Sequence, residues 1–571
     1  MSSDPSLRPD PDDSFSSSRH RRAPRTGRLL ALAAGAMATV WFLARVISKP
    51  SRAGYPCMRA SFPIMSGFVG YLLALAGAAA SVGHAHRLRL LRGRSGLAAG
   101  ALLAVTVSTV GFVPRCADSK VDDTPQAGDD AGLYGKGVGT FPGRVVWVHD
   151  PKATNENTTN VPGDGYFLPK NNDQAVIDRM LNDGVLSLTG KSTASEACTE
   201  LFRFHNARLG KGSVVYATGE KVFIKTNATS SRGYGTEWGN VTTDFEIVAN
   251  GSYGISETSP AVVIATLRLL TRDCGVPQAS IVVGDPLKEI YNHVFNQWVS
   301  EFREVTYLSK HGGWGRTAAV PGSRPLIFYS DRGAVLRAGT SDNPAAGASI
   351  TEDRLYTIYE DAEYIINVPA LKAHARAGVT LAAKSHFGSQ ARDDAQHLHM
   401  GLVDPAGAPL ANRPNRQGYG LYRVQVDLMG HRLLGGKTLL YLIDGLWAGS
   451  EAVDPPVRFQ TAPFNNDWTS SLLLSQDPVA VESVGYDILR NEFTEARHPG
   501  KAYPQMSGVD DYLHQAAEPR VWARGVTYDP ENDGSPLTSL GVHEHWQSPT
   551  DRRYGRNLGR SEGIDLVYHA Y

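Results

Sequence analysis

The chain has 571 residues, a length that suits about three to four structural units. It carries 57 Lys and Arg against 57 Asp and Glu, and 15 of the basic residues lie among the first 117. Since the remainder has no excess of positive charge, we predict that the protein has no nucleic-acid partner.

The amino-terminal part of the chain contains three apolar runs, at about 29–48, 61–83 and 97–113. Each run approaches the ~17–25 residues that a helix needs to cross a bilayer. The sequence therefore predicts three transmembrane helices within 29–117, and a membrane as a partner.

Two polar segments flank the predicted spans: a basic, disordered segment at 1–28 and an Asp- and Gly-rich linker at 118–141. Arg residues are concentrated before the first run and between the second and third runs. Because positive flanks stay on the inner side of a membrane, the amino terminus is predicted to lie inside. Three spans then put the body, residues 142–571, on the outer side.

The chain has four cysteines. Cys57 and Cys116 flank the second and third predicted spans on the same side of the membrane, so a disulfide between them is geometrically allowed. Cys198 and Cys274 are predicted to be ordinary buried thiols. Because no Cys-x-x-Cys spacing occurs, we expect no iron–sulfur cluster.

The body alternates strand patterns with helix patterns. Apolar, β-rich runs predict strands at 144–150, 220–227, 279–286, 363–368 and 439–445. Helical spacing predicts helices at 172–190, 258–269 and 287–299. This alternation predicts an α/β fold with a mixed, largely parallel sheet and flanking helices, preceded by the transmembrane region. The weakly patterned stretch 305–350 predicts an inserted substructure or a lid.

Polar residues follow four of the predicted strands: Asn227, Asp285, the pair Lys372 and His374, and Asp444. A single Asp after a strand is usually a turn former. Polar residues at the ends of four strands favour a ligand-binding site, because the carboxyl ends of parallel strands meet along one edge of a sheet.

The stretch 365–388 is the centre of this prediction. Pro369 is expected to stop its apolar strand, and Lys372, His374, Lys384 and His386 follow in the predicted connection. Cations in that connection are placed to meet an anionic group, although solvated loop residues are an open alternative.

Spaced motifs occur in a fixed order: Lys225–Asn227, the segment Asn-Val-Pro-Ala-Leu-Lys-Ala-His that ends at His374, Thr380 with Lys384, Ile443–Gly445 and Ser475–Ala480. Together they resemble the markers of the domain of unknown function 362 family, over a core of about 215–490. The resemblance implies a fold and a site, but no settled reaction.

The flanking segments 55–59, 144–149, 541–546 and 557–559 resemble a membrane-anchored bacterial branch of the same family. This resemblance implies a multi-pass protein of the bacterial inner membrane, with its main domain on the periplasmic side.

Lysine and histidine side chains at strand ends suit an anionic small molecule, a carboxylate or a phosphate ester. We predict an enzyme of this kind with His374 and Lys384 as catalytic residues, because histidine changes charge near neutral pH. The predicted ligand-binding residues are Lys225, Asn227, Asp285, Lys372, His386, Asp444 and Asp477.

Two alternatives remain open, so the sequence leaves undecided whether the protein is an enzyme. One is a non-catalytic extracytoplasmic module that binds a ligand or a partner. The other is a hydrolase that holds a divalent metal with Asp285, Asp444 and Asp477. No local metal motif joins these acids, so the cofactor is unknown and no residue is assigned to a metal. For Asp477 a helix N-cap is the favoured interpretation.

Two His-x-His pairs also occur in the body. His397 and His399 lie in a polar segment and are predicted to belong to a solvated loop. His543 and His545 flank Glu544, and we interpret them as packing of the carboxyl-terminal tail onto the body.

Overall fold

The computed structural model describes residues 132–235, 240–242, 245–247, 252–338, 347–403 and 418–571. All of these residues belong to the compact unit Pro125–Tyr571.

The α-helices of the described residues are α1 (Gln174–Thr189), α2 (Ala194–Arg208), α3 (Pro260–Arg268), α4 (Asn292–Glu301), α5 (Ile358–Asp361), α6 (Ala382–Ser385), α7 (Val424–Gly430), α8 (Pro478–Glu492) and α9 (Val509–Ala517). A π-helical turn, Leu269–Asp273, extends α3, and a 3-10 helix, His386–Gly388, extends α6. Side-chain caps define several starts, including Asp173 before α1 and Thr193 with Glu196 in a capping box before α2.

The strands are β1 (Tyr134–Gly135), β2 (Arg144–His149), β3 (Val222–Thr226), β4 (Ile281–Gly284), β5 (Thr306–Ser309), β6 (Thr317–Ala318), β7 (Ile327–Phe328), β8 (Glu352–Asp353), β9 (Tyr364–Val368), β10 (Ala370–His374), β11 (Gly378–Thr380), β12 (Thr438–Gly449), β13 (Ser471–Ser475), β14 (Val542–His543) and β15 (Asp565–Ala570).

Most of these strands form one sheet in the order β15-β2-β13-β12-β9-β3-β4-β5-β6. From β12 to β6 each neighbouring pair is parallel, whereas β13 runs antiparallel to both β12 and β2. β10 pairs with the second half of β12 and with β11. The body is therefore a mixed α/β structure with a large, mostly parallel sheet, as predicted.

Helices cover both faces of this sheet. Val145 and Trp147 of β2 belong to one apolar core, and Val146 and Val148 belong to the other, because successive side chains of a strand alternate between faces. Helices α1 to α4 pack into the second core, and α5 to α9 pack into the first. Burial on both faces explains why the strand sequences are almost continuously apolar.

The predicted elements of the body largely match the observed ones. The predicted strands correspond to β2, β3, β4, β9 and β12, and the first two predicted helices correspond to α1 and α3. The third predicted helix starts later than expected, at Asn292. Within the predicted insertion at 305–350, β5 and β6 extend the main sheet, while β7 pairs with β8 in a separate two-stranded sheet.

The prediction that the chain leaves the sheet at Pro369 is wrong. β9 ends at Val368, but the chain continues at once as β10 beside β12. Pro369 has no N–H to donate, yet its carbonyl accepts the backbone N–H of Asp444 at 2.8 Å, so the sheet pairing continues through it. Lys372 and His374 therefore lie on a strand and not in a loop.

The structure corrects the prediction of a membrane protein. Among the described residues, no helix is long and apolar enough to cross a bilayer. The longest, α1, has 16 residues and is amphipathic, whereas a span needs about 20 apolar residues. The segments 29–48, 61–83 and 97–113 lie outside the described residues.

The helices of the described residues therefore do not support the transmembrane part of the predicted fold class, the predicted membrane partner or the multi-pass inner-membrane location. That prediction was based on the apolar runs, the charged flanks and the resemblance of the flanking segments. No helix in the part of the chain that the structure describes supports it.

The prediction of two free thiols in the body is also wrong. Cys198 of α2 and Cys274, which ends the π-helical turn after α3, form a disulfide with their Cα atoms 5.2 Å apart. The bond closes a loop across 76 positions of the sequence, a length at which chain entropy predicts about 4 kcal/mol of stabilisation. Cys57 and Cys116 lie outside the described residues.

Candidate functional site

A cavity of about 370 Å³ lies at the ends of β3, β4 and β10, below α6. Four of the residues predicted from the sequence line it: Asn227, Asp285, His374 and Lys384. They come from separate segments that the parallel strands bring to one edge of the sheet. The predicted convergence of strand ends is therefore observed for these four residues.

Lys384, on α6, is partly exposed to the cavity, and its ammonium lies 3.9 Å from the centroid of the Phe387 ring. Among the described residues it has no carboxylate partner. Burial lowers the pKa of Lys384 to about 7, and the charges of Lys372 and Arg376 lower it further in the same direction. A large fraction of this side chain is therefore neutral at physiological pH.

Lys372 lies directly behind the cavity wall and is fully buried. Its ammonium donates to the Thr229 hydroxyl at 2.9 Å, to the carbonyl of Ala452 at 3.0 Å and to the carbonyl of Ser256. Burial lowers the pKa of Lys372 to about 8, against the opposing charge of Glu257. Because Thr229 and Ala452 line the cavity, Lys372 fixes two segments of its wall.

Lys225 is also fully buried, at the end of β3, and forms an ion pair of 3.2 Å with Asp285. It donates to the carbonyls of Thr226 and Ser385 at 2.7 and 3.1 Å. Burial lowers the pKa of Lys225, and Asp285 opposes that shift. Asp285 accepts in addition the backbone N–H groups of Ala228 and Leu287, so its charge is held in place by the protein itself.

His374 ends β10 and lines the cavity. Its Nδ1 accepts the backbone N–H groups of Arg376 at 3.0 Å and Ala377 at 3.4 Å, and lies 3.8 Å from Glu451. A ring nitrogen that accepts hydrogen bonds carries no proton, so the proton of the neutral ring is on Nε2. In this arrangement His374 is a hydrogen-bond donor.

Three buried polar atoms of residues that line the cavity have no hydrogen-bond partner among the described residues: Asn227 Oδ1, Thr380 Oγ1 and Ser385 Oγ. Buried polar atoms are nearly always paired, because leaving one unpaired costs about 1–3 kcal/mol. All three residues belong to the wall of the same cavity.

Residues 241–487 match the model of the family "Domain of unknown function (DUF362)". The match supports the DUF362 family. It includes Asp285, His374 and Lys384, so most of the cavity belongs to the DUF362 region, whereas Lys225 and Asn227 precede it. It does not reach 55–59, 541–546 or 557–559, on which the narrower bacterial branch was based. Neither a curated protein nor a solved structure shows significant similarity to the chain.

Five of the seven residues predicted to bind the ligand do not line the cavity: Lys225 and Lys372, which lie behind its wall, and His386, Asp444 and Asp477. His386 is buried with its ring between Asn367 and Ser389, and burial lowers the pKa of His386 to about 3. Asp444 lies inside β12, which is longer than predicted, and accepts the backbone N–H groups of Ser259 and Leu446.

Asp477 is the N-cap of α8, the interpretation that the sequence favoured. Its carboxylate accepts the backbone N–H groups of Val479 and Ala480 at 3.0 and 2.8 Å, and also those of Val138 and Val542. Four backbone donors account for this buried carboxylate without a ligand.

The hypothesis of a metal held by Asp285, Asp444 and Asp477 does not fit the structure. Among the described residues, these carboxylates do not form a group with ligand atoms close enough to share an ion. Each accepts backbone N–H groups at a different helix or strand end.

Several residues that line the cavity were not predicted from the sequence: Arg232, Lys288, Arg376, His399 and Glu451. Lys288 follows Asp285 by three positions and Arg376 follows His374 by two, so the same strand-exit argument would have found both. Glu451 follows the unpredicted extension of β12.

The prediction of a solvated loop at His397 and His399 is wrong. His397 is buried and its Nε2 lies 2.6 Å from Asp353. His399 lines the cavity, with its ring 5.1 Å from that of Phe387. The polar composition of the segment concealed this burial.

Proposed function

We propose that the cavity binds an anionic small molecule, a carboxylate or a phosphate ester, and that Lys384 exchanges a proton with it. The observation that carries this proposal is the Lys384 ammonium at the cavity wall without a carboxylate partner among the described residues. A bound anion would supply the missing countercharge and stabilise the charged form of the side chain.

The charges at the wall support an anionic ligand. Among the described residues that line the cavity, the cations are Arg232, Lys288, Arg376 and Lys384, and the carboxylates are Asp285 and Glu451. Asp285 is already compensated by Lys225. The remaining balance is positive, and a partly enclosed site strengthens the attraction for an anion.

The hydrogen-bonding groups support a ligand with several oxygen atoms. The hydroxyls of Thr380 and Ser385 can donate to carboxylate or phosphate oxygens, and Asn227 Oδ1 can accept from a hydroxyl of the same molecule. These groups would fix the orientation of the ligand beside Lys384.

A lysine with a pKa of about 7 can act in both directions near neutral pH. Its neutral amine accepts a proton from the ligand, and its ammonium returns one. His374 contributes in a different way from the predicted acid–base role, because its Nδ1 already accepts two backbone N–H groups. Its Nε2–H would instead donate a hydrogen bond to the ligand.

Binding can be tested with inorganic phosphate as the probe, by isothermal titration calorimetry of the full chain. Lys384→Met removes the charge and keeps the length of the side chain, so we expect phosphate affinity to fall at least about tenfold. Lys191→Met is the matched control, because Lys191 is exposed and pairs with Glu200 away from the cavity. Equal affinity in the two variants would contradict the proposal.

Turnover can be tested by incubating the protein with a mixture of carboxylates and phosphate esters and following their conversion by mass spectrometry. We expect conversion by the wild type and by Lys191→Met, and none by Lys384→Met. If phosphate binding depends on Lys384 but no compound is converted, the cavity is a binding site and the proton-exchange part of the proposal is wrong.

A further inference from the structure

A second group of buried polar side chains lies outside the cavity, where the carboxyl-terminal segment meets α8 and α9. Asp510 of α9, His543 of β14 and His545 each offer one possible ligand atom, and the three atoms lie within 4.8 Å of one another. Asp510 and His543 are each 1% exposed. None of the three lines the cavity.

The distances are compatible with a bound ion. His545 Nε2 lies 2.9 Å and His543 Nε2 lies 3.7 Å from Asp510 Oδ1. Two ligand atoms on a tetrahedral zinc ion are about 3.3 Å apart when each bond is about 2.0 Å. The observed pair of distances brackets that value, while 3.7 Å is too long for a hydrogen bond.

Both imidazole rings are oriented through their other nitrogen. His545 Nδ1 lies 2.8 Å from Asp487 Oδ1, and His543 Nδ1 lies 2.8 Å from the Ser483 hydroxyl. Asp487 and Ser483 are on the same helix, α8. A histidine that binds a metal usually donates its second ring N–H to a carboxylate or another acceptor, because this fixes the tautomer and the ring plane.

Two of the three ligand atoms lack a hydrogen bond. His543 Nε2 and Asp510 Oδ1 are buried and have no hydrogen-bond partner of acceptable geometry among the described residues. Such atoms are rare in a folded protein unless water, an ion or a ligand completes them. This observation is independent of the spacing of the three ligands.

We propose that His543, His545 and Asp510 bind a divalent transition-metal ion of the zinc type. Two imidazole nitrogens and one carboxylate oxygen favour such an ion over calcium or magnesium, which prefer all-oxygen sites. The ion would join the segment around β14 to α8 and α9, so its role is to hold the carboxyl-terminal tail on the body.

The competing arrangement contains no metal. His545 lies between Asp487 and Asp510, and a protonated ring would form an ion pair with both. That arrangement leaves His543 Nε2 without a partner, whereas a metal ion satisfies all three ligand atoms.

Metal content tests the proposal with the untagged full chain. After treatment with a chelator and dialysis, the protein is titrated with Zn²⁺ by calorimetry and assayed by elemental mass spectrometry. We expect one equivalent of zinc per chain and a higher melting temperature of the loaded protein, since a ligand that binds only the folded state stabilises it.

Variants locate the ion. His543→Gln and Asp510→Asn each remove one ligand and are expected to weaken zinc binding at least about a hundredfold. His569→Gln is the control, because His569 is in β15 and its Nε2 contacts the Ser187 hydroxyl 2.8 Å away. Equal zinc affinity in His543→Gln and His569→Gln overturns the proposal.

A measurement on the wild type decides the question even if these variants fail to fold. Crystals of the zinc-treated protein are measured on both sides of the zinc absorption edge. An anomalous peak between His543 Nε2, His545 Nε2 and Asp510 Oδ1 supports the proposal. No peak there, or a peak only in the cavity beside His374 and His399, overturns it.

Discussion

Buried polar groups at the cavity and at the start of α8 differ in whether they have hydrogen-bond partners. Asp477 accepts four backbone N–H groups, and these contacts account for its burial. At the cavity, Thr380 Oγ1 and Ser385 Oγ are equally buried and have no partner among the described residues. Burial of a polar residue therefore does not by itself reveal its role, and its hydrogen bonds must be compared as well.

The lysines Lys225 and Lys384 also differ in their partners. Lys225 has a carboxylate and two carbonyls as partners, so it serves the structure around the cavity. Lys384, on α6, lies over the Phe387 ring and lines the cavity. The comparison predicts that substitutions of the two lysines change stability in opposite directions.

The largest effect is expected for Lys225→Met. The variant leaves Asp285 buried without its cation, so we expect the free energy of unfolding to fall by about 3–5 kcal/mol. Chemical denaturation monitored by circular dichroism measures this change. A variant as stable as the wild type would show that Asp285 is compensated by something other than Lys225.

A smaller effect is expected for Asp477→Ala, which removes the cap of α8. We expect a loss of about 2 kcal/mol of stability, near the upper limit for a helix cap, because two further backbone N–H groups lose their acceptor. Phosphate affinity at the cavity should stay unchanged in the folded variant. A large loss of affinity would break the distinction between the two regions.

The smallest effect, of opposite sign, is expected for Lys384→Met. The pKa of Lys384 is about 7 in the folded protein and 10.5 in an ordinary setting, so the folded state disfavours its charge. Removing the amine should raise the free energy of unfolding by about 1 kcal/mol below pH 7, where both states of the wild type hold the proton; this is only part of the full shift, because the side chain is partly exposed to the cavity.

This gain should shrink between pH 7 and pH 10.5, because folding of the wild type releases the Lys384 proton in that range and the cost of releasing it falls as pH rises. Denaturation curves at pH 6, 8 and 10, with Lys191→Met measured in parallel, test the sign. A destabilised variant at pH 6 would mean that Lys384 has a structural partner and not a free position at the cavity.

The sequence predicted the part of the site that depends on strand ends. Asn227 and Asp285 follow apolar runs that become β3 and β4, and parallel neighbours must bring their carboxyl ends to one edge. Lys384 and His374 were found for the same reason. Asp444 was misjudged because the apolar run after it continues β12, so a residue expected at a strand exit lies within the strand.

Side-chain partners could not be predicted in this way. His386 and Lys384 are two positions apart in one short segment, yet only Lys384 faces the cavity, because the turn of α6 into the following 3-10 helix points His386 at Asn367. The His543 and His545 pair was interpreted as tail packing, and it does pack there. Its orientation toward Asp510 depends on α9, which lies about 30 residues earlier in the chain.

The order of apolar and polar residues by itself determined that the body is an α/β structure and which strand ends carry polar groups, since periodicity and strand direction are local properties. Which buried groups are satisfied, that Cys198 meets Cys274, and that the described helices cannot span a bilayer were decided only by the tertiary structure. Hydrogen bonds and disulfides join residues that are distant in sequence, so their partners exist only once the chain is folded.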